Sequence, residues 1–209
     1  MSKQIIWDYL KKKGFTDCGI AGLMGNLQAE SNFKPQNLQN TGNKKLNMTD
    51  EEYTKAVDNG TYSFDLYRKD GHGFGLAQWT FHTRKAALYN FAKKCNKSIG
   101  DLQMQLDYLY KELQGYKEVF EVLKTATTVR EASDIVLLRY ERPKDQSERV
   151  QLLRCGYGEA IYKEFSKEAQ SKVLYRVQVG AYSVKANAEA MMQKLKKAGY
   201  DAIIVEAKK

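Results

Sequence analysis

The chain has 209 residues, 43% of them hydrophobic, and a formal net charge of +9, enough for one ordinary domain and a small second module. No run approaches the roughly 20 apolar residues that span a bilayer, and the three isolated cysteines, Cys18, Cys95 and Cys155, fit neither a disulfide framework nor a zinc site. Residues 174–209 hold seven Lys/Arg and three Asp/Glu, so the basic excess is spread over both parts of the chain and suits an anionic polymer: nucleic acid, a membrane surface or a teichoic-acid-bearing wall.

The start, "MSKQIIWDYLKKKGF", lacks a long apolar region and a small-residue cleavage site, and is expected to be no secretory leader. Residues 3–13 read as a first helix stopped by Gly14. Thr16 or Asp17 caps a second, in which Ile20, Leu23, Met24 and Leu27 repeat at one-face spacing. Glu30 lies seven residues beyond Leu23, nearly in line with it on a 3.6-residue turn, so it extends the buried stripe into the last helical turn. A carboxyl at the negative end of a buried helix face is a candidate general acid; a solvated helix end is the plain alternative.

Residues 35–75 are poor in aliphatics and rich in Asn, Thr, Gly and Asp. They read as a long functional loop, with "TYSFDLY" as its best strand. A classical glycosidase needs a second carboxylate, and Asp65, between aromatics in that strand, is the preferred partner of Glu30. In "DGHGFGLAQWT" the glycines Gly71, Gly73 and Gly75 alternate, which would leave one face bare for a ligand. Gln78 and Trp79 follow, an amide and an indole suited to sugar hydroxyls and a pyranose face; a glycine turn and a core tryptophan are the alternative. From Phe81 to Phe165 helical spacing returns in four segments and a fifth at about 147–165. The fourth ends in "LLRYERP", where Tyr140 and Glu141 are further candidates for the cleft. His72 and His82 sit in no HExxH frame; no metal and no cofactor are expected.

Residues 166–173 read as a linker. Beyond it "LYRVQVGAY" alternates as a strand, "VKANAEAMMQKLKKAG" is an amphipathic helix and "YDAIIVEA" is a second strand. The expected fold class is therefore α+β: a mainly helical domain over 1–165 and a small C-terminal βαβ module over 174–209.

"GIAGLMGNLQAESNFKPQNLQ", "DGHGFGLAQWTFHTRKAAL" and "YERP", in that order, resemble the phage tail lysozyme family over roughly residues 3–165. The resemblance implies that Glu30 is the catalytic acid, that Gln78 and Trp79, with Gly75, Tyr140 and Glu141, bind substrate, and that the substrate is the peptidoglycan glycan strand at its N-acetylmuramic acid–N-acetylglucosamine β-1,4 bond. Hydrolysis and lytic transglycosylation both stay open. "YRVQVGAYSVKANAEAMMQKLKKAGYDAIIV" resembles a SPOR domain, a peptidoglycan-binding module, with Tyr175, Gln178 and Tyr182 as its candidate wall contacts. It holds one βαβ half where that family has two, which implies either a homodimer that pairs two halves or a module shorter than the family pattern. The combination resembles an endolysin that waits in the host cytoplasm until a separate membrane pore admits it to a Gram-positive wall, with no membrane insertion of its own. The competing readings are an inactive wall-binding or tail protein and a basic nucleic-acid-binding protein.

Overall fold

The computed structural model describes residues 2–166 and 177–206, and the chain divides into two compact units, residues 1–171 and 172–209. The first unit is helical. Its helices are α1 (Ser2–Lys12), α2 (Asp17–Ser31), α3 (Asn40–Leu46), α4 (Asp50–Asn59), α5 (Phe64–Lys69), α6 (His82–Lys94), α7 (Leu102–Leu113), α8 (Lys117–Thr125), α9 (Val129–Ile135) and α10 (Glu148–Phe165). A π-helical turn, Val136–Glu141, continues α9 directly.

Helix α2 is the axis of this unit. Thr16 caps it by accepting the Gly19 N–H at 3.0 Å, and Asn32 ends it in the left-handed region at φ 49°. It is buried from Gly19 to Leu27 on every side, where the sequence predicts a single buried face. Gly19, Gly22 and Gly25 explain the difference. A Cβ at Gly19 would lie 2.0 Å from the Leu123 carbonyl oxygen of α8, one at Gly22 2.5 Å from the Ala132 Cβ of α9, and one at Gly25 2.4 Å from the Arg154 carbonyl oxygen of α10. Three glycines one turn apart let three helices rest on the backbone of α2.

Residues 35–75 are not the expected long loop. They hold α3, α4 and α5. Thr49 and Glu52 form a reciprocal capping box on α4, and Ser63 caps α5, which absorbs the "TYSFDLY" stretch read as a strand. The aliphatic deficit is met by aromatics: Tyr53, Tyr67 and Phe74 are buried and pack as one cluster, with ring centroids 5.6–6.3 Å apart. Beneath them Lys85 is fully buried, donating to Asp70 at 2.5 Å, to the Tyr53 hydroxyl at 3.1 Å and to the His72 carbonyl at 3.0 Å. That ion pair ties α6 to the start of the glycine segment.

The second unit corrects the expected βαβ module. Its described residues hold one helix, α11 (Lys185–Lys197), and no described residue lies in a strand: the described residues hold only the isolated bridges Leu38–Phe74 and Phe74–Trp79, both in the first unit. Residues 177–182 and 200–206 are irregular, and Val177 and Ile203 are 88% and 81% exposed. Alternating apolar residues make a strand only where a neighbour takes up the backbone N–H and C=O groups; no such ladder forms among the described residues. The α+β class therefore fails, and the described chain is all-helical. Residues 167–176, with most of the linker and Tyr175, lie outside the described residues.

Candidate active site

Glu30 projects from the last turn of α2, and its carboxylate Oε1 meets Arg154 Nη2 at 2.7 Å, with the two side chains 19% and 9% exposed. Arg154 comes from α10, placed against α2 by the Gly25 and Gly158 crossing. Its Nη1 donates to Asn26 Oδ1 at 3.2 Å. Asn26 lies four residues before Glu30 on the same helix face and is itself fixed, its amide donating to the carbonyls of Gly22 at 3.0 Å and Ser133 at 3.1 Å. The Glu30 carboxylate is thus oriented by a chain of buried polar groups.

A second carboxylate hub lies nearby, on Glu112 of α7. It accepts from the Trp79 indole N–H at 2.8 Å, from Arg84 Nε at 2.8 Å and Nη2 at 2.9 Å, and from the Tyr140 hydroxyl at 2.6 Å. Burial opposes the charge on Glu112, but the Arg84 bonds and charge and the Tyr140 and Trp79 bonds outweigh it, holding the carboxyl below the ordinary range. Arg84 also lies over the Tyr140 ring at 4.9 Å.

Between the hubs stands Glu141, the last residue of the π turn. The turn's wide hydrogen bond runs from the Arg142 N–H to the Leu137 carbonyl at 2.8 Å, five residues back, and Arg142 reverses the chain at φ 50°. As a residue Glu141 is half-buried, but its Oε1 is sealed from solvent and has no hydrogen-bond partner. Burial pushes its carboxyl well above the ordinary carboxylate range, the charge of Glu30 adds to the push, and Arg84 and Arg154 only partly oppose it.

The structure thus gathers Glu30, Glu141, Tyr140 and Trp79 around two arginines, and places the other sequence candidates differently. Asp65 is on the surface of α5, its side chain 68% exposed and paired with Arg68 at 2.8 Å, whereas Glu141 is the carboxyl that feels the charge of Glu30. Trp79 is fully buried with its indole bound to Glu112, so its ring faces the core and not a sugar. Gln78 adopts φ 43° in a tight turn and donates to the Asn37 and Gly75 carbonyls at 3.0 and 3.2 Å. Gly75 is buried at φ 79° against Gln105. In the second unit Gln178 and Tyr182 are both exposed. Arg154, Asn26, Arg84 and Glu112 are absent from the sequence reading. Of these only Asn26 carries a local signal, a polar residue inside an apolar helix. Among the described residues no cluster of three or more His, Cys, Asp or Glu could hold a metal.

The site thus sets several carboxyls in unequal surroundings within a helical domain. Residues 2–165 match the phage tail lysozyme family, and the chain belongs to that family. Residues 158–209 match the SPOR domain. Morphogenesis protein 1 of Bacillus phage B103 is 26% identical over 156 residues, which cover 71% of this chain and 35% of that protein. The chain thus spans about a third of the length of this curated relative.

Proposed function

We propose that the protein cleaves the glycan strand of bacterial peptidoglycan, with Glu30 as the general acid at the N-acetylmuramic acid–N-acetylglucosamine bond. The observation that carries this reading is the Glu30 carboxyl itself: it ends a buried helix, stays partly open to solvent, and is held by Arg154, which Asn26 fixes in turn, with its charge felt by a second carboxyl, Glu141. The family membership and the SPOR match support it. The C-terminal unit holds the enzyme on the wall through exposed side chains including Gln178 and Tyr182. The chain acts as an endolysin, crossing from the host cytoplasm through a separate pore. Two copies associate through the exposed apolar side chains of the C-terminal unit, among them Val177 and Ile203.

The name of the B103 relative, a morphogenesis protein, favours a second setting for the same chemistry: a particle component that opens the wall from outside. Detection of the chain in purified particles separates the two settings.

The test of the chemistry is clearing of purified walls by wild type and Glu30→Gln, with mass spectrometry of the fragments. Glutamine keeps the shape but cannot give a proton, so the rate should fall on the order of 10²-fold or more. Clearing by Glu30→Gln at the wild-type rate would refute the reading. Free reducing ends indicate hydrolysis, 1,6-anhydro ends transglycosylation.

A further inference from the structure

The chain leaves α2, just beyond Glu30, by an uncommon route. Asn32 and Phe33 both adopt the left-handed region, at φ 49° and 62°, where a bulky side chain is an outlier. The Lys34 N–H closes the turn on the Ser31 carbonyl at 3.1 Å. Strain of this kind persists only where the surroundings enforce it, and it gathers at ligand-binding sites. The Phe33 ring is buried, with Lys3 Nζ 5.8 Å from its centroid.

Two surface depressions flank this turn. One, of about 350 Å³, lies between the turn, the start of α1 and the end of α10. The other, of about 530 Å³, lies between the turn and the start of α4. Ser2, Asn32 and Phe33 line both, so the two adjoin as one groove. Consecutive Cα atoms are about 3.8 Å apart, so the Asn32 Cα lies within about 7.6 Å of the Glu30 Cα. The groove therefore begins beside the acid proposed for the reaction.

Its walls carry both signs of charge. In the first depression Lys3 pairs with Glu164 at 3.4 Å. In the second Asp50 is committed, accepting from the Leu38 N–H at 3.1 Å and the Asn43 amide at 3.0 Å. Lys34 and Glu51 remain, both exposed, and neither side chain has an ion pair or hydrogen bond among the described residues. A neutral sugar gives a cation and an anion of this kind nothing to pair with. The glycan strand itself is neutral once the lactyl carboxyl of each N-acetylmuramic acid is amide-bonded to its peptide stem. The stem is the part of the polymer that carries free carboxylates and an amine.

We propose that this groove receives the peptide stem of the strand being cut, with Lys34 binding a stem carboxylate and Glu51 the stem amine. The enzyme then prefers peptide-bearing glycan to bare glycan. The inference rests on the glycan-cleaving reading above and deepens it. A stem of four or five residues spans up to roughly 13–18 Å when extended, enough to run from a sugar at Glu30 past the Asn32–Phe33 turn. Lys34 and Glu51 touch substrate away from the scissile bond, so they act on binding and not on the chemical step.

The experiment compares kcat/KM of the full-length protein on two soluble substrates: glycan fragments that keep their stems, and the same fragments stripped of stems by an amidase. Wild type should prefer the first by roughly tenfold. Lys34→Gln and Glu51→Gln should each lower that preference by about threefold, through KM, which is the scale of an exposed ion pair. Both side chains are exposed, so both variants should fold. Equal kcat/KM of wild type on the two substrates overturns the proposal. A preference that both variants leave at the wild-type value overturns it as well, because a purely structural role, or a sugar in the groove, would weaken both substrates alike. Failure of the broader reading looks different: wild type would release no fragments from either substrate. The groove is then judged by NMR titration of the free stem peptide into the full-length protein. Shifts of the Asn32, Phe33 and Lys34 amides support it, and their absence overturns it.

Discussion

Gly25→Ala tests the helix crossing that brings Arg154 to Glu30. A Cβ on Gly25 would sit 2.4 Å from the Arg154 carbonyl oxygen and 2.7 Å from the Gly158 nitrogen. Both are backbone atoms of α10 and cannot swing aside. Ordinary contact begins at 3.4 Å, so the helices must part by about 1 Å, the difference between 3.4 and 2.4. Overpacking of this kind costs up to about 3 kcal/mol; alanine returns about 1 kcal/mol through helix propensity. The net loss of about 2 kcal/mol corresponds to a fall of roughly 4–8 °C in melting temperature for a chain of this size. The effect on turnover should be larger in proportion, since a 1 Å misplacement of catalytic groups can cost on the order of 10²-fold. The control lies in α10 itself. A Cβ on Gly156 meets nothing within 4 Å, so Gly156→Ala should raise the melting temperature by roughly 2–4 °C and leave activity unchanged. Thermal melts and wall-clearing rates of the two variants check this. If Gly25→Ala matched Gly156→Ala in both, the close crossing would not be what positions Arg154.

The Glu112 hub predicts a pH-dependent stability. Its folded-state carboxyl is held below the ordinary range, so its contribution is present above the unfolded value near 4.3 and is lost as pH falls through the lower folded value. Glu112→Gln should cost about 3 kcal/mol at pH 7, where Arg84 loses its charge partner, and the gap to wild type should narrow toward pH 3; urea denaturation showing the same gap at both pH values would contradict this. Deleting residues 172–209 should leave a unit that still cuts soluble glycan but sediments with intact walls less than the full chain does, and should abolish self-association. Wall pull-down and analytical ultracentrifugation measure both, and equal pull-down would remove the binding role from the C-terminal unit.

The helical elements were legible where apolar spacing and caps coincide. Thr16, the Ile20–Leu27 stripe and the turn after Glu30 give α2 almost to the residue, and α10 begins within a residue of its expected start. Residues 35–75 misled because aromatic and tyrosine-hydroxyl packing replaces aliphatic periodicity there: Tyr53 and Tyr67 bury as fully as leucines, but a count of aliphatics does not see them. The C-terminal alternation misled in the other direction. It records side-chain pattern alone, and a strand also requires a partner for its backbone. Glu30 stood out because a carboxylate in line with a buried face needs a reason. Its supporting groups did not, because Arg154, Arg84 and Glu112 are 124, 54 and 82 positions away in sequence and look like ordinary surface charges until the helices are packed. Trp79 shows the same limit: the residue type suits a sugar, and only the structure shows its indole committed to Glu112.

The π turn makes residue count, as well as residue kind, a determinant of this site. A regular α-helix advances about 100° per residue, and the wider turn at 136–141 absorbs one residue beyond that register. Removing any single residue from 136–139 would let the segment relax to α-helix and would rotate Tyr140 and Glu141 off their present bearings, although neither side chain had changed. A one-codon deletion would therefore dismantle the site while every one of its chemical groups stayed in the gene, and relatives that keep "YE" before the arginine–proline pair would need their spacing read before their chemistry is believed.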